Sequence, residues 1–184
     1  MTQAFAIPVI GLTGGIASGK STVAKLIETK LGIPVVDADA IARQLSQPGG
    51  KAAPKILARF GTLDRAELRK VIFGDIQAKK DLEAILHPLI AQESYQRVAE
   101  LKAQGATRVI YEAALLVETG RYKELDALVC VEAPPEKRIE RLRKDEEKKM
   151  EKERKDAEKK AEKERKDAEK EAEKLRKKME KESE

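Results

Sequence analysis

Cysteine, histidine and long apolar runs are scarce in this 184-residue chain. The one cysteine, Cys130, lies in the apolar run at residues 127–131, so no disulfide can form within the chain, and we expect a buried strand thiol in a reducing compartment. No apolar run approaches the length of a membrane span, and residues 1–6 lack a signal-peptide pattern. We therefore expect a soluble, cytoplasmic protein with one domain and room for an appendage.

A glycine-rich segment near the N-terminus carries the most specific motif. Residues 14–21 read GGIASGKS, which fits G-x-x-x-x-G-K-[ST]. The segment lies between a predicted strand and a predicted helix, and such a loop can wrap backbone N–H groups around a phosphate. Lys20 would reach the outer phosphates and the Ser21 hydroxyl would bind Mg²⁺. We expect Gly14, Gly15 and Gly19 to adopt positive φ and to permit close approach of the backbone. The predicted nucleotide-binding residues are Gly14, Gly15, Ile16, Ala17, Ser18, Gly19, Lys20, Ser21 and Thr22.

Strands and helices alternate along the body of the chain. Strands are predicted at about residues 7–12, 33–36, 108–111 and 127–131. Asp64 and Asp75 are predicted helix N-caps, and Pro88 is expected to interrupt or end a helix near His87. The alternation predicts parallel βαβ units in a three-layer α/β sandwich. A helical insert at about residues 40–104 would overhang the strand ends, which suits a small-molecule kinase better than a GTPase switch.

Four segments together resemble the bacterial dephospho-CoA kinases. They read IGLTGGIASGKST from residue 10, VDADAIAR from residue 36, HPLI from residue 87 and EAALLVE from residue 112, in the order and approximate spacing of that family. The likeness runs from about residue 7 to residue 142. It implies a P-loop kinase that phosphorylates the ribose 3′-hydroxyl of dephospho-CoA with ATP and Mg²⁺, the last step of coenzyme A synthesis.

Two carboxylates follow the second predicted strand, at the sheet edge where ligands bind in open α/β folds. Asp39 matches the second Asp of the family's Asp-Ala-Asp motif, which implies that it orients the acceptor hydroxyl and accepts its proton, and Lys20 is the second predicted catalytic residue. Asp37 could act on the water shell of the metal. Alternatively, either carboxylate caps the following helix. Arg43 either binds substrate phosphate in the same cleft or is a solvated surface arginine.

Four weaker candidates complete the predicted substrate site. His87 lies in the segment that binds substrate in the resembled family, and no second His or Cys lies at metal-ligand spacing. Glu112 either holds Mg²⁺ through water or is a polar strand end. Glu118 fits the family's Leu-Leu-x-Glu pattern, but an ion pair with Arg121 or Lys123 would also explain it. Thr13, directly before the loop, is assigned to the substrate site.

The chain departs from the family pattern in two places. The connection between Gly61 and Leu63 is shorter than usual, and the lid and last strand expected after Leu142 are replaced. Residues 143–184 contain 18 Lys/Arg and 16 Asp/Glu in an 11-residue repeat, EKERKDAEKKA and its variants. The proline pair at residues 134–135 is expected to open a helix, and with no Gly or Pro after Pro135 we expect a single helix of about 48 residues that includes this charged tail. We therefore expect a kinase-like domain at residues 1–142 and a separate helix at residues 143–184.

Two functional hypotheses follow from this replaced tail. The chain is a working dephospho-CoA kinase, or it is a nucleotide-binding body with impaired catalysis whose helix serves as an interaction or spacer arm. Balanced charge in the tail argues against nucleic-acid binding, and we expect no membrane partner. The tail's apolar stripe is rich in alanine, which buries little area, so a monomer is favoured over a weakly associated coiled coil. The stripe consists of Met150, Ala157, Ala161, Ala168, Ala172, Leu175 and Met179.

Overall fold

The computed structural model describes residues 5–182, with side chains over residues 5–166. The chain forms two compact units that meet between Ala133 and Pro134. Among the described residues, no helix is long and apolar enough to cross a membrane. The strands of the first unit are β1 (Val9–Thr13), β2 (Val35–Asp37), β3 (Val109–Glu112) and β4 (Ala127–Cys130). Its helices are α1 (Lys20–Leu31), α2 (Ala38–Ser46), α3 (Ala53–Phe60), α4 (Arg65–Gly74) and α5 (Ile76–Ala103), with a 3₁₀ turn at Arg121–Glu124.

The four strands form one parallel sheet in the order β2-β3-β1-β4. Glu112, the last residue of β3, pairs in register with Leu12 of β1 on one side and with Asp37 of β2 on the other. The carboxyl ends of three strands therefore meet at one edge. The predicted parallel α/β sheet is confirmed, and its edge brings together residues from distant parts of the sequence.

Helices cover both faces of this sheet, which confirms the predicted three layers. Val9, Val109 and Tyr111 belong to one buried cluster, which also includes residues of α2 to α5. Leu12 and Ile110 point to the opposite face and pack with Ala24 of α1. This division follows from the period-two alternation of side chains along a strand. The helical insert consequently lies on one face, and α1 with its preceding loop lies on the other.

Two helices of the insert, α4 and α5, begin at the predicted aspartates. Asp64 accepts hydrogen bonds from the N–H groups of Ala66 and Glu67 at 2.8 and 2.9 Å, and Asp75 caps α5. The short connection before α4 is ordered by these caps, since the Thr62 hydroxyl accepts from the Asp64 N–H and donates to Glu67. Both N-cap predictions are confirmed.

Pro88 lies inside α5, so the predicted interruption or end near His87 is wrong. A proline within a helix removes one backbone hydrogen bond and costs about 3 kcal/mol. Buried residues lie on both sides of it, with Ala78 before and Ser94 and Val98 after. Because α5 packs against α2, α3 and α4, tertiary burial outweighs the local cost. The helical insert therefore contains one continuous helix, α5, that runs through Pro88.

Strand β4 forms one edge of the sheet and pairs with β1. All four of its residues are exposed, including Cys130, so the prediction of a buried thiol is wrong. A continuous apolar run predicts a strand but does not say whether that strand lies in the middle or at the edge of its sheet. Edge position alone does not explain this exposure, because Val36 of the other edge strand, β2, is only 2% exposed and packs in the core, whereas no β4 residue belongs to either core cluster.

The second unit is one helix, α6 (Pro135–Glu182), of 48 residues. The predicted single helix and its start at the proline pair are confirmed. Two ion pairs link side chains four residues apart on this helix, Lys155 with Glu151 at 3.1 Å and Lys166 with Glu162 at 2.6 Å. Met150 is 70% exposed, and Ala157 and Ala161 are exposed as well. The remaining stripe residues, Ala168, Ala172, Leu175 and Met179, lie outside the range of described side chains.

Candidate active site

The glycine-rich loop joins β1 to α1 with a compact turn. The Ser18 N–H donates to the Gly15 carbonyl at 3.1 Å, and Gly19 adopts φ +100° at the start of α1. Gly14 and Gly15 do not have positive φ, so that part of the prediction is wrong, whereas Ala17 does, at φ +58°. No side chain caps α1 at Gly19. The positive end of the helix dipole is therefore directed at the loop, as an anion site requires.

Gly14 is required by packing within the protein itself. A Cβ at this position would lie 2.5 Å from the Val131 carbonyl oxygen and 2.7 Å from Ser18 Oγ. Both distances are shorter than any tolerated contact, and the first involves backbone that is held by the Val131 N–H bond to the Thr13 carbonyl. The sequence attributes the close approach at Gly14 to a phosphate, but in the structure Gly14 approaches the backbone of Val131.

One carboxylate oxygen joins the loop to β3. Glu112 Oε1 accepts a hydrogen bond from Lys20 Nζ at 2.7 Å and another from Ser21 Oγ at 2.8 Å. The Lys20 and Glu112 side chains are only 11% and 6% exposed. Glu112 is therefore more than a polar residue at the end of a strand, because its carboxylate pairs with the lysine of the motif.

Asp37 caps the helix that follows it. Its Oδ1 accepts the Ala40 N–H at 2.9 Å, and its Oδ2 lies 3.5 Å from Arg43 Nη2. Ser21, Asp37 and Glu112 nevertheless line one cavity of about 330 Å³. The capping interpretation is therefore realised in the structure, and Asp37 also lines the cavity that Ser21 lines at the start of α1.

Asp39 belongs to the same electrostatic group. Burial raises the pKa of the Asp39 carboxyl above its usual value, Lys20 opposes that rise, and Asp37 adds to it. Arg43 and Glu112 influence it more weakly, in opposite directions. The side chain retains solvent access, because it opens into a cleft. A carboxyl with a raised pKa that still reaches solvent is suited to accept a proton from a bound hydroxyl.

This cleft, of about 370 Å³, lies between α2 and the helices α3, α4 and α5. Its polar rim consists of Asp39, Arg43, Ser46, Arg65 and Arg69. Its apolar floor is made by Ala42, Ile56, Leu68, Ile72, Leu82 and Leu86.

Arg65 and Arg69 line this cleft but are not among the residues predicted from the sequence. Their spacing of four residues on a predicted helix was the available signal, since it places both on one helix face. Three arginines beside one carboxylate favour a ligand that carries several negative charges.

Three predicted substrate residues lie elsewhere. Thr13 is 4% exposed and its hydroxyl donates to the Ala114 carbonyl at 3.1 Å, so it joins β1 to the segment after β3. His87 is exposed on α5 and is not among the cleft-lining residues, although its neighbour Leu86 is.

Glu118 is also exposed, in the segment that follows β3. Arg121, one of the two ion-pair partners suggested for Glu118, pairs with Glu124 at 3.5 Å.

The donor set at the loop suits Mg²⁺. The Ser21 hydroxyl and the Glu112 carboxylate are hard oxygen ligands, and Mg²⁺ commonly takes one or two protein oxygens together with substrate phosphates. Across the described residues, no cluster of three or more His, Cys, Asp or Glu side chains could hold a metal alone. The residues present therefore fit a magnesium ion that arrives with a nucleotide.

A parallel sheet with a phosphate-type loop and a helical cleft at its carboxyl edge defines a P-loop kinase fold. The crystal structure of TT1252 from Thermus thermophilus is similar, with a TM-score of 0.63 and 35% identity over 74% of this chain and 71% of that one. Residues 8–175 match the family model for dephospho-CoA kinase.

Curated relatives give the same family. The dephospho-CoA kinase of Syntrophotalea carbinolica is 46% identical over 142 residues, which cover 73% of this chain and 67% of that protein. The enzyme of Geobacter metallireducens is 44% identical, with 73% and 70% covered. The chain therefore belongs to the dephospho-CoA kinase family, whose members are phosphotransferases that catalyse the last step of coenzyme A synthesis.

Proposed function

We propose that this chain transfers the γ-phosphoryl group of ATP to the ribose 3′-hydroxyl of dephospho-CoA. The observation that carries the proposal is the position of Asp39 at the rim of the arginine-lined cleft, in electrostatic contact with Lys20 of the phosphate-type loop. An acceptor held in the cleft and a phosphate held in the loop would meet at this carboxylate.

The proposed division of roles follows the charges. Residues 14–22 and the start of α1 hold the nucleotide phosphates, and Lys20 neutralises charge that spreads over the transferred group. Magnesium, held by Ser21 and by Glu112 or Asp37 through water, would add positive charge at the phosphates. Arg43, Arg65 and Arg69 bind the diphosphate of dephospho-CoA, and the apolar floor takes its pantetheine arm.

In the proposed reaction, Asp39 orients the ribose hydroxyl and accepts its proton. The bond from the ribose oxygen to the γ-phosphorus forms as the bond from that phosphorus to the bridging oxygen breaks, and ADP leaves with the electron pair. The raised pKa of the Asp39 carboxyl makes it a better proton acceptor than an ordinary aspartate, provided that the solution pH keeps the group ionised.

We assign this chemistry to residues 1–142, with residues 40–104 gripping the substrate, and a spacer or interaction role to residues 143–184. The exposed stripe residues Met150, Ala157 and Ala161 support a monomer, because alanine buries little area. A substrate of cytoplasmic metabolism and a free, exposed thiol both suit a reducing cytoplasm.

The decisive experiment combines calorimetry with an ADP-release assay on the whole chain. We expect ATP and dephospho-CoA each to bind and ADP to form only when both are present with Mg²⁺. Binding of both without turnover would instead support the nucleotide-binding body with impaired catalysis. Turnover that survives Asp39→Asn would remove Asp39 from the proposal.

A further inference from the structure

The carboxylate of Glu112 occupies the two donors that the loop motif assigns to nucleotide binding. Lys20 Nζ and Ser21 Oγ both donate to the same oxygen, at 2.7 and 2.8 Å. Lys20 and Ser21 are the first two residues of α1, and Glu112 ends β3 some 92 positions after Lys20. This contact therefore depends on the tertiary fold and not on a local turn.

Glu112 is held firmly in this position. Its strand lies between β1 and β2, and the residue itself is 5% exposed. In this position the Glu112 carboxylate is paired with Lys20 before a phosphate binds. In so buried a pair the attraction is weakly screened, so a phosphate must replace a strong contact and not merely join a free cation.

We propose that Glu112 is an intramolecular competitor of the nucleotide phosphates: its carboxylate occupies Lys20 and Ser21 and gives them up when a phosphate binds. The inference rests on the proposed use of the loop as a phosphate site. Glu112 is then a positioning residue that keeps Lys20 extended towards the strand ends and lowers the affinity of the loop for anions that arrive without a metal ion.

The test uses Glu112→Gln, which keeps the size of the side chain and an acceptor oxygen but removes the charge. Binding of inorganic pyrophosphate and of ATP is measured by calorimetry in EDTA and again with Mg²⁺. We expect at least tenfold tighter binding of both anions in EDTA, because Lys20 no longer has an anionic partner. We also expect a smaller gain in affinity on adding Mg²⁺, because a carboxylate ligand has been lost.

Glu100→Gln is the matched control. It makes the same change of net charge at an exposed position on α5, where Glu100 accepts a hydrogen bond from Gln96. We expect less than a twofold change in pyrophosphate affinity for this variant. An equal gain in both variants would reduce the effect to net charge and overturn the proposal.

Other outcomes also decide the matter. If Glu112 serves only as a metal ligand, Glu112→Gln leaves anion binding in EDTA unchanged. If its role is purely structural, the substitution weakens binding both in EDTA and with Mg²⁺. Either result overturns the proposal. Glu112→Asp retains the charge with a shorter side chain, and we expect a smaller gain in EDTA. If neither variant gains while the wild-type chain still binds ATP and turns over, the competitor role is wrong and the proposed kinase function stands.

Discussion

Lys20 Nζ lies 2.7 Å from Glu112 Oε1, and the two side chains are 11% and 6% exposed. The pair links the first turn of α1 to the end of the central strand β3. A buried pair of this kind adds little over an apolar replacement, but the loss of one partner leaves a buried charge without compensation. We therefore expect each single substitution in the pair to lower the free energy of unfolding strongly, and substitution of both residues to lower it only slightly.

Lys20→Met is expected to lower the free energy of unfolding by about 3 to 5 kcal/mol, because Glu112 remains buried and charged. The double variant Lys20→Met with Glu112→Gln should recover most of that loss. Urea denaturation of the single and double variants measures both effects. Lys51→Met is the control, since Lys51 is 63% exposed and its pair with Glu93 at 3.2 Å should contribute less than about 1 kcal/mol. Additive losses in the double variant would contradict the argument.

Asp39→Asn should reduce kcat by about 10² to 10⁴, the usual contribution of a general base, and should leave the Kd for ATP unchanged within about twofold. The exposed Asp156→Asn is the matched control, with unchanged kcat expected. Full turnover by the Asp39 variant would exclude its role as proton acceptor.

Stability gives a second, independent readout for Asp39. Because burial raises its pKa in the folded protein, the ionised carboxyl destabilises the fold at neutral pH. This cost is complete above the raised pKa, shrinks as the pH falls through it, and vanishes below the unfolded value of about 3.9. Asp39→Asn should therefore melt above the wild type at pH 7, and the two melting temperatures should converge towards pH 4. A lower melting temperature at pH 7 would show that the carboxylate stabilises the fold.

Gly14→Ala is expected to reduce both stability and nucleotide affinity, because its Cβ would lie 2.5 Å from the Val131 carbonyl oxygen. Overpacking against backbone costs about 1 to 3 kcal/mol. Gly74→Ala is the matched control, since nothing lies within 4 Å of a Cβ there and the residue is in the last turn of α4. Alanine at that position should be neutral or stabilising by up to about 1 kcal/mol. Thermal melts and calorimetric titration with Mg²⁺ and ATP measure both effects. Similar losses in the two variants would contradict the steric explanation.

Local sequence patterns predicted the features that depend only on neighbouring residues. The loop between β1 and α1, the N-caps Asp64 and Asp75 and the long helix α6 each follow from neighbouring residues. The predicted break at Pro88 failed because burial on both sides of the proline comes from helices that lie elsewhere in the sequence.

Features that depend on the order of strands and the orientation of helices could not be predicted. Cys130 is exposed because no residue of β4 packs in either core cluster, which the apolar sequence of the strand does not reveal. The joint engagement of Lys20 and Ser21 by Glu112 requires β3 to lie beside β1. Arg65 and Arg69 line the same cleft as Asp39 because of how α4 packs, which the sequence alone does not give.

Arg65→Ala and Arg69→Ala should each raise the KM for dephospho-CoA by about tenfold or more, because a hydrogen bond to a charged group contributes about 1.5 to 3 kcal/mol. The KM for ATP should change by less than about twofold, since both arginines line the cleft and neither belongs to the loop. Arg59→Ala is the control: it removes an equal charge from the insert, but Arg59 pairs with Asp81 at 2.7 Å outside the cleft. Initial-rate measurements with each substrate varied in turn separate the two KM values. If the KM for dephospho-CoA also rises in the Arg59 variant, the effect follows from the net charge of the insert. If it rises only in the Arg65 and Arg69 variants, the cleft is the place where the diphosphate of the acceptor binds.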